Sequence, residues 1–164
     1  MIVVIQDANI LIDLADVGLL NDFFRLDVEA HTTDLVLHEV KSSDVDRFVQ
    51  VGVLKKETFD AAELTELVEF KGNRPTLSLQ DCSVLKLAMR RKATLLTGDG
   101  ALRKHAIAEN VSVHGILWIF DRMVSRRIMK PQDAANHLRQ LMKKNPRLPA
   151  DECKKRLSHW TGKK

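Results

Sequence analysis

The order of apolar and polar positions along the chain predicts strands that alternate with helices. Ile2–Ile5 is a continuous apolar run, typical of a strand that is buried on both faces of a parallel sheet. Further candidate strands are the runs 28–32, 53–59, 93–96 and 111–113. Apolar residues at helical spacing separate these runs, and Ser78 and Asp81 have the spacing of a capping box at the start of one helix. The pattern predicts a three-layer α/β/α fold around a central parallel sheet.

Two helical segments carry more specific expectations. The segment 60–70 places four apolar residues on one face, which we expect to be buried: Ala61, Leu64, Leu67 and Val68. After residue 125, Pro131 opens a helix and a basic segment follows at 151–160, so the chain ends in a helical extension. We therefore expect a domain over 1–125 and a basic C-terminal helical extension over 126–164.

Charge separates these two parts of the chain. The net charge is +4, but residues 1–121 hold 13 Lys+Arg and 19 Asp+Glu, whereas residues 122–164 hold 13 Lys+Arg and 3 Asp+Glu. An acidic body thus carries a basic tail, which suits either a solvated pair of helices or a surface that binds nucleic acid. The tail has no aromatic stacking platform, since Trp160 is its only aromatic residue.

Composition narrows the class of protein. The 164 residues are 45% hydrophobic, which is enough for a folded core. Cys82 and Cys153 lie far apart and suggest neither a disulfide framework nor a metal site. The first residues do not have the pattern of a signal peptide, and no apolar run is long enough to cross a membrane. We expect a cytoplasmic protein without a membrane partner.

Four acidic residues stand where a parallel sheet builds its sites. Asp7 directly follows the first buried strand, and Asp99 follows the strand at 93–96. Sites in open α/β sheets lie outside the carboxyl ends of the strands, so Asp7 and Asp99 are expected at one edge. Glu39 and Asp81 fall on apolar stripes of predicted helices, where an acid is costly unless it is paired or bound to a metal.

A divalent cation would let these four carboxylates share one site. Mg²⁺ and Mn²⁺ prefer oxygen ligands, and the absence of His and Cys from these motifs argues against zinc. Thr97 and Asn9 are candidates to support the acids by hydrogen bonds. Such a site suits metal-assisted attack of water on a phosphodiester. Each acid also has a simpler interpretation: Asp7 and Asp99 as helix caps, Asp81 as part of a capping box, and Glu39 as a solvated residue.

Four motifs then resemble those of PIN-domain proteins, in particular the small VapC-like prokaryotic ribonucleases. They are, in order, IVVIQDANILIDL, DLVLHEV, LSLQDCSVLKLA and TLLTGDGALRKHA. The resemblance covers roughly residues 1–125. It implies a metal-dependent endoribonuclease that uses Mg²⁺ or Mn²⁺ held by Asp7, Glu39, Asp81 and Asp99. It also implies RNA as the substrate and raises the role of toxin in a toxin–antitoxin pair, with an antitoxin protein and a second copy of the chain as partners.

Other functions remain open at this level. A PIN-like fold without activity could bind RNA or a protein. Haloacid-dehalogenase-like and receiver-type phosphoryl-transfer folds also place an Asp after the first strand, but here Asn9 and Gln6 stand where those folds carry further acids. The six histidines show no spacing typical of metal ligands. Lys41, Arg103 and Lys104 could contact the RNA backbone, but solvation at the surface is the favoured interpretation.

Overall fold

The computed structural model describes residues 1–163, and Lys164, the last residue of the expected extension, lies outside them. One sheet has five parallel strands in the order β3-β2-β1-β4-β5. The strands are β1 (Ile2–Gln6), β2 (Val28–Thr33), β3 (Leu54–Glu57), β4 (Thr94–Leu96) and β5 (Val113–His114). The predicted α/β/α fold with a parallel sheet is confirmed, and every predicted strand is present with small shifts of its ends.

Ten helices are described between and after the strands. They are α1 (Ala8–Asp16), α2 (Leu20–Phe24), α3 (Asp34–Glu39), α4 (Ser43–Gln50), α5 (Ala61–Gly72), α6 (Leu79–Arg91), α7 (Gly100–Ala108), α8 (Ile116–Ser125), α9 (Pro131–Lys144) and α10 (Ala150–Thr161). Not one of these helices has the length and apolar character required to cross a membrane.

Strand β1 occupies the position that matters most for a site. It pairs with β2 on one side and with β4 on the other, so the chain winds outwards in opposite directions from the β1–β4 boundary. Ligands in open parallel sheets bind at such a reversal, outside the carboxyl ends of the strands. The backbone N–H of Asp7 donates to the Leu96 carbonyl over 3.0 Å and fixes those two strand ends side by side.

Helix α6 is the main buried helix on the sheet, because it packs against β1, β2 and β4. Its N-terminus has the predicted capping box: Ser78 Oγ accepts from the Asp81 N–H, and Asp81 Oδ2 accepts from the Ser78 N–H, each over 3.0 Å. The contact between the Thr33 and Ser83 hydroxyls, 2.8 Å apart, links this helix to the end of β2. The first turn of α6 is therefore held at the carboxyl edge of the sheet.

The helix predicted over 60–70 is present as α5, but most of its apolar face is not buried. Of its four apolar residues, only Leu67 is buried, whereas Leu64 is 37% and Val68 58% exposed. Helix α5 lies at the periphery and packs mainly against α6. Because only one neighbouring element covers it, a narrow stripe is enough, and the wider apolar face stays in solvent.

The C-terminal helices α9 and α10 pack against each other, and α9 also contacts α1 and α8. Their apolar residues, among them Leu138, Leu141 and Cys153, belong to the same buried cluster as the residues of the sheet. Polar contacts add to this packing, since Asn145 Nδ2 donates to Asp13 Oδ2 over 3.0 Å. The division into a domain over 1–125 and an extension over 126–164 stays a prediction.

Candidate functional site

Asp7 lies at the centre of the candidate site. It follows β1 directly, caps α1, and is only 5% exposed. Its Oδ1 accepts from the Ala8 N–H over 2.8 Å, and its Oδ2 accepts from Thr97 Oγ1 over 2.7 Å. Both oxygens are thus oriented by the chain, as a carboxylate that must hold one geometry requires.

Asp99 is joined to Asp7 through a single side chain. Thr97 is fully buried after β4; its hydroxyl donates to Asp7 and accepts from the Asp99 N–H over 3.0 Å. Asp99 itself caps α7, with Oδ1 accepting from the Leu102 N–H over 2.8 Å. The structure therefore brings Asp7, Thr97 and Asp99 together at the β1–β4 boundary, in agreement with the expectation that Asp7 and Asp99 share one edge.

Asp81 approaches the same centre from the first turn of α6. It is half-buried, and its negative charge raises the pKa of Asp7, as does that of Asp99. Burial is the larger cause, and together these effects raise the pKa of Asp7 to about 6, although its bonds to Thr97 and Ala8 act in the opposite direction. Asp7 is thus a buried carboxylate whose ionised form is repelled by two further acids. A positive charge at this place would stabilise that ionised form.

Glu39 is placed differently from what the sequence suggested. It is exposed, whereas its place on an apolar stripe predicted an inward side chain. The reason is the length of α3, which has six residues and ends at Glu39, so that the stripe does not continue around a further turn. The Glu39 carboxylate thus points to solvent at the end of α3 and is not buried with Asp7.

Asn9 supports the loop that carries Asp99. Its Oδ1 accepts from the Gly98 N–H over 3.1 Å and so connects the first turn of α1 to the residue between Thr97 and Asp99. A Cβ on Gly98 would meet Asn9 Oδ1 at 3.7 Å, which is ordinary contact. The glycine is thus not required by crowding inside the fold.

The donor atoms suit a hard divalent cation. Asp7, Asp81 and Asp99 offer only oxygen, and neither Asp81 Oδ1 nor Asp99 Oδ2 accepts a hydrogen bond within residues 1–163. Helices α1, α6 and α7 begin at these acids. The positive ends of their dipoles therefore compensate part of the negative charge of the carboxylates. Among the described residues no three His, Cys, Asp or Glu side chains stand close enough to enclose a metal. Mg²⁺ does not need such a cage, because it usually keeps several waters and binds one or two carboxylates together with substrate phosphates.

Sequence reasoning missed an aromatic pair beside these acids. The His114 and Trp118 rings stack with centroids 4.8 Å apart and planes 8° from parallel. Trp118 precedes the basic tail in sequence, so the tail considered alone has no aromatic platform. The aromatic pair and the tail come together only through the docking of α9 and α10. Arg103, interpreted as a solvated residue, is half-buried in the same region.

Comparisons with known proteins support the fold and the family. A family model described as PIN domain (DUF3368) matches residues 3–161. The crystal structure of PAE2754 from Pyrobaculum aerophilum superposes with a TM-score of 0.52 at 16% sequence identity, and the match covers 76% of this chain and 98% of that one. At that identity the likeness concerns the fold alone. No curated protein matches the chain.

Proposed function

The chain belongs to the PIN-domain family, a fold generally used by nucleases, and from that premise we propose that it is an endoribonuclease dependent on Mg²⁺ or Mn²⁺. The observation that supports the proposal most directly is the centre formed by Asp7, Thr97 and Asp99 at the reversal of strand order. Within residues 1–163 no Lys or Arg side chain forms an ion pair with Asp7, Asp81 or Asp99, which favours the binding of a cation at this edge.

Asp7, Asp81 and Asp99 would hold the metal, one or two of them directly and the rest through its waters, and Glu39 is proposed as a fourth acid that approaches from the end of α3. When bound, a divalent ion supplies an activated water at neutral pH and neutralises charge that builds up on the phosphate oxygens. Thr97 keeps Asp7 Oδ2 in place, so that this carboxylate enters the site preoriented. Asn9 holds the Gly98 N–H and thereby fixes the turn that presents Asp99.

Cleavage of a labelled single-stranded RNA pool tests the proposal. We expect cleavage with Mn²⁺, none with EDTA, and none with Asp7→Asn. Asp60→Asn is a matched control, because Asp60 also caps a helix, α5, but is exposed and distant in sequence from the acids. Retained cleavage in Asp7→Asn would refute the assignment. A folded protein that binds Mn²⁺ and RNA without cleaving would support a PIN-like binding module instead.

We also propose the toxin role, with an antitoxin protein, a homodimer and a cytoplasmic location as its corollaries. The support is the resemblance to VapC-like proteins, and the test is induced expression in cells. Growth arrest that needs Asp7, and that a co-expressed neighbouring gene product relieves, is the expected result. Unimpaired growth during high expression of the active nuclease would contradict it.

A further inference from the structure

A groove of about 860 Å³ runs from the acid site to the C-terminal helices. Asn9 and Asp99 lie at one end, and the opposite wall is the turn 144–149 between α9 and α10. Side chains of α7 and α8 form its floor, among them Arg103 and Trp118. The groove thus joins the carboxylates of the body to the basic part of the chain.

Two guanidinium groups in this groove have no acidic partner within residues 1–163. Arg103 lies one helical turn after Asp99, with its backbone N–H on the Asp99 carbonyl at 3.0 Å, yet its side chain forms no ion pair there. Its Nη2 would lie only 3.2 Å from a Cβ on Gly115, so the missing side chain leaves room for this guanidinium against the start of α8. Arg147, on the opposite wall, is exposed and likewise forms no ion pair there.

Of the other charged groups of the groove, Arg156, Asp13 and Lys144 have partners inside the fold, whereas the Asp16 carboxylate forms no ion pair within residues 1–163. Arg156 is paired with Asp121 at 2.8 Å and with Glu152 at 3.2 Å. Asp13 accepts from Asn145, and Lys144 donates to the backbone carbonyl of Asp16 over 2.9 Å. Arg103 and Arg147 are therefore the guanidinium groups of the groove that no carboxylate neutralises within residues 1–163, and the Lys144 ammonium meets only a neutral carbonyl.

An aromatic pair lies next to these cations. Trp118 stacks on His114, and the Arg122 guanidinium lies over the Trp118 ring at 4.9 Å from its centroid, so a base would lie beside this pair rather than on a face of Trp118. Burial, together with Arg103 and Arg122, lowers the pKa of His114, so its imidazole is uncharged at neutral pH. Unpaired nucleic acid presents the complementary alternation of phosphates and flat bases, and proteins bind it with cations and aromatic rings.

We propose that this groove binds a segment of single-stranded RNA that leads away from the acid site, with phosphates at Arg103 and Arg147 and a base beside the His114–Trp118 pair. The position of the cleaved bond at Asp7 and Asp99 rests on the proposed function. The volume falls in the range of about 300–1,000 Å³ of small-ligand pockets, which is enough for a few unpaired nucleotides. The segment 126–164 supplies Arg147 and thus half of the substrate path.

RNA binding is measured by fluorescence anisotropy in EDTA, so that metal-dependent cleavage does not take place. The protein is the full chain, and the probe is a fluorescein-labelled poly(U) RNA of about ten nucleotides. Arg103→Gln and Arg147→Gln are each expected to raise Kd about tenfold and to lower the salt slope by about one. Arg126→Gln removes the same charge from an exposed residue of the extension that does not line the groove, and should change Kd less than about twofold. Arg147→Gln is the decisive variant, because the Arg147 side chain forms no hydrogen bond within residues 1–163. The backbone N–H of Arg147, which donates to Asn145, is kept in the variant.

Trp118 provides an independent readout. Trp160 is buried next to Phe120, so Trp160→Phe leaves Trp118 as the reporting tryptophan. In the Trp160→Phe background, added RNA should quench the Trp118 emission, and this titration should give the same Kd as the fluorescein anisotropy. A duplex of the same length should not compete with the single strand. Equal losses in Arg126→Gln, unchanged Trp118 emission, or tight duplex binding would each overturn the inference. Absence of RNA binding by the full chain would overturn it too and leave the groove to a protein partner.

The two proposals fail in different ways. Groove-dependent binding without cleavage in Mn²⁺ would contradict the nuclease proposal and leave the groove inference standing. Metal-dependent cleavage with unchanged Kd in both arginine variants would refute the groove inference alone.

Discussion

The Thr97 hydroxyl donates to Asp7 Oδ2 over 2.7 Å, although the two residues are 90 positions apart in the chain. The same hydroxyl accepts from the Asp99 N–H over 3.0 Å. One fully buried side chain thus orients one acid and the backbone of another. Orientation of this kind is what separates a site from acids that merely share a sheet edge.

Replacement of Thr97 by Val should test this role, since the shape is kept and the hydroxyl is lost. A buried Asp7 oxygen and the Asp99 N–H would lose their partner, which costs about 1–3 kcal/mol of unfolding free energy. We expect cleavage to fall about tenfold or more, because misplacement near the reacting atoms is costly. Urea unfolding and RNA cleavage measure the two effects.

Thr97→Ser is the matched control, as it keeps the hydroxyl and removes a methyl group. It should restore most of the cleavage. If Val and Ser variants cleaved equally well, the hydroxyl would have no part in orienting Asp7, and Thr97 would be a packing residue.

Much of this arrangement follows from sequence in physical terms. The apolar run before Asp7 and the one before Asp99 place both acids after strands, and parallel strands end at one edge, so their meeting could be predicted. The sequence could not predict that β1 and β4 are direct neighbours, because strand order depends on packing across the whole sheet.

The misses share a cause. Glu39 and the apolar face of α5 were assigned from periodicity, but burial depends on how long a helix is and on how many elements cover it. The groove could not be seen either, because it needs Arg103, Trp118 and the turn at 144–149 in one place. Residues far apart in sequence meet there through the docking of α9 and α10, which local patterns do not encode.

The raised pKa of Asp7 predicts a stability that depends on pH in the metal-free protein. The pKa is about 6 in the fold and 3.8 in its ordinary state, so the folded form holds the proton more tightly. The favourable contribution is full below about 3.8 and is lost as the pH rises to about 6. At neutral pH, ionised Asp7 costs the fold on the order of 2–3 kcal/mol.

Asp7→Asn removes this cost, and Asn still suits a helix cap. In EDTA, the difference in Tm between variant and wild type should therefore increase from pH 4 to pH 6.5 and then stay level. Asp60→Asn, at an exposed cap, should show no such trend. A difference that did not change with pH would mean that Asp7 is not destabilised by burial.

Mn²⁺ should stabilise the wild-type protein by mass action. A cation that binds the folded acids and not the unfolded chain adds about 2.7 kcal/mol at a concentration one hundred times Kd. We expect Tm to rise with Mn²⁺ concentration in wild type and in Asp60→Asn, and to rise much less in Asp7→Asn and Asp99→Asn. Equal rises in all four proteins would place the bound metal elsewhere.

The contact between Asn145 and Asp13 should govern the docking of the extension. Asp13 is 8% exposed, and burial raises its pKa, whereas the hydrogen bond from Asn145 Nδ2 acts against that rise. Asn145→Ala removes this donor, so ionised Asp13 becomes more costly in the fold. Because protonated Asp13 needs the donor less, the loss of stability should be small at acid pH and increase towards neutral pH, to about 1–2 kcal/mol.

Urea unfolding from pH 4 to pH 8 measures this effect. Asn136→Ala is the control, since Asn136 is exposed on α9 and its Oδ1 accepts from Arg139 Nη1 over 3.1 Å, away from any buried acid. The Asn145→Ala/Asp13→Asn double variant should lose this pH dependence, because Asp13 is the titrating group that accepts from Asn145. The double variant should also bind RNA less tightly. The backbone N–H of Arg147, two residues from Asn145, donates to Asn145 Oδ1 over 3.0 Å, and the substitution at Asn145 removes this support. Loss of stability without loss of RNA affinity would mean that the extension docks through this contact but does not carry the substrate.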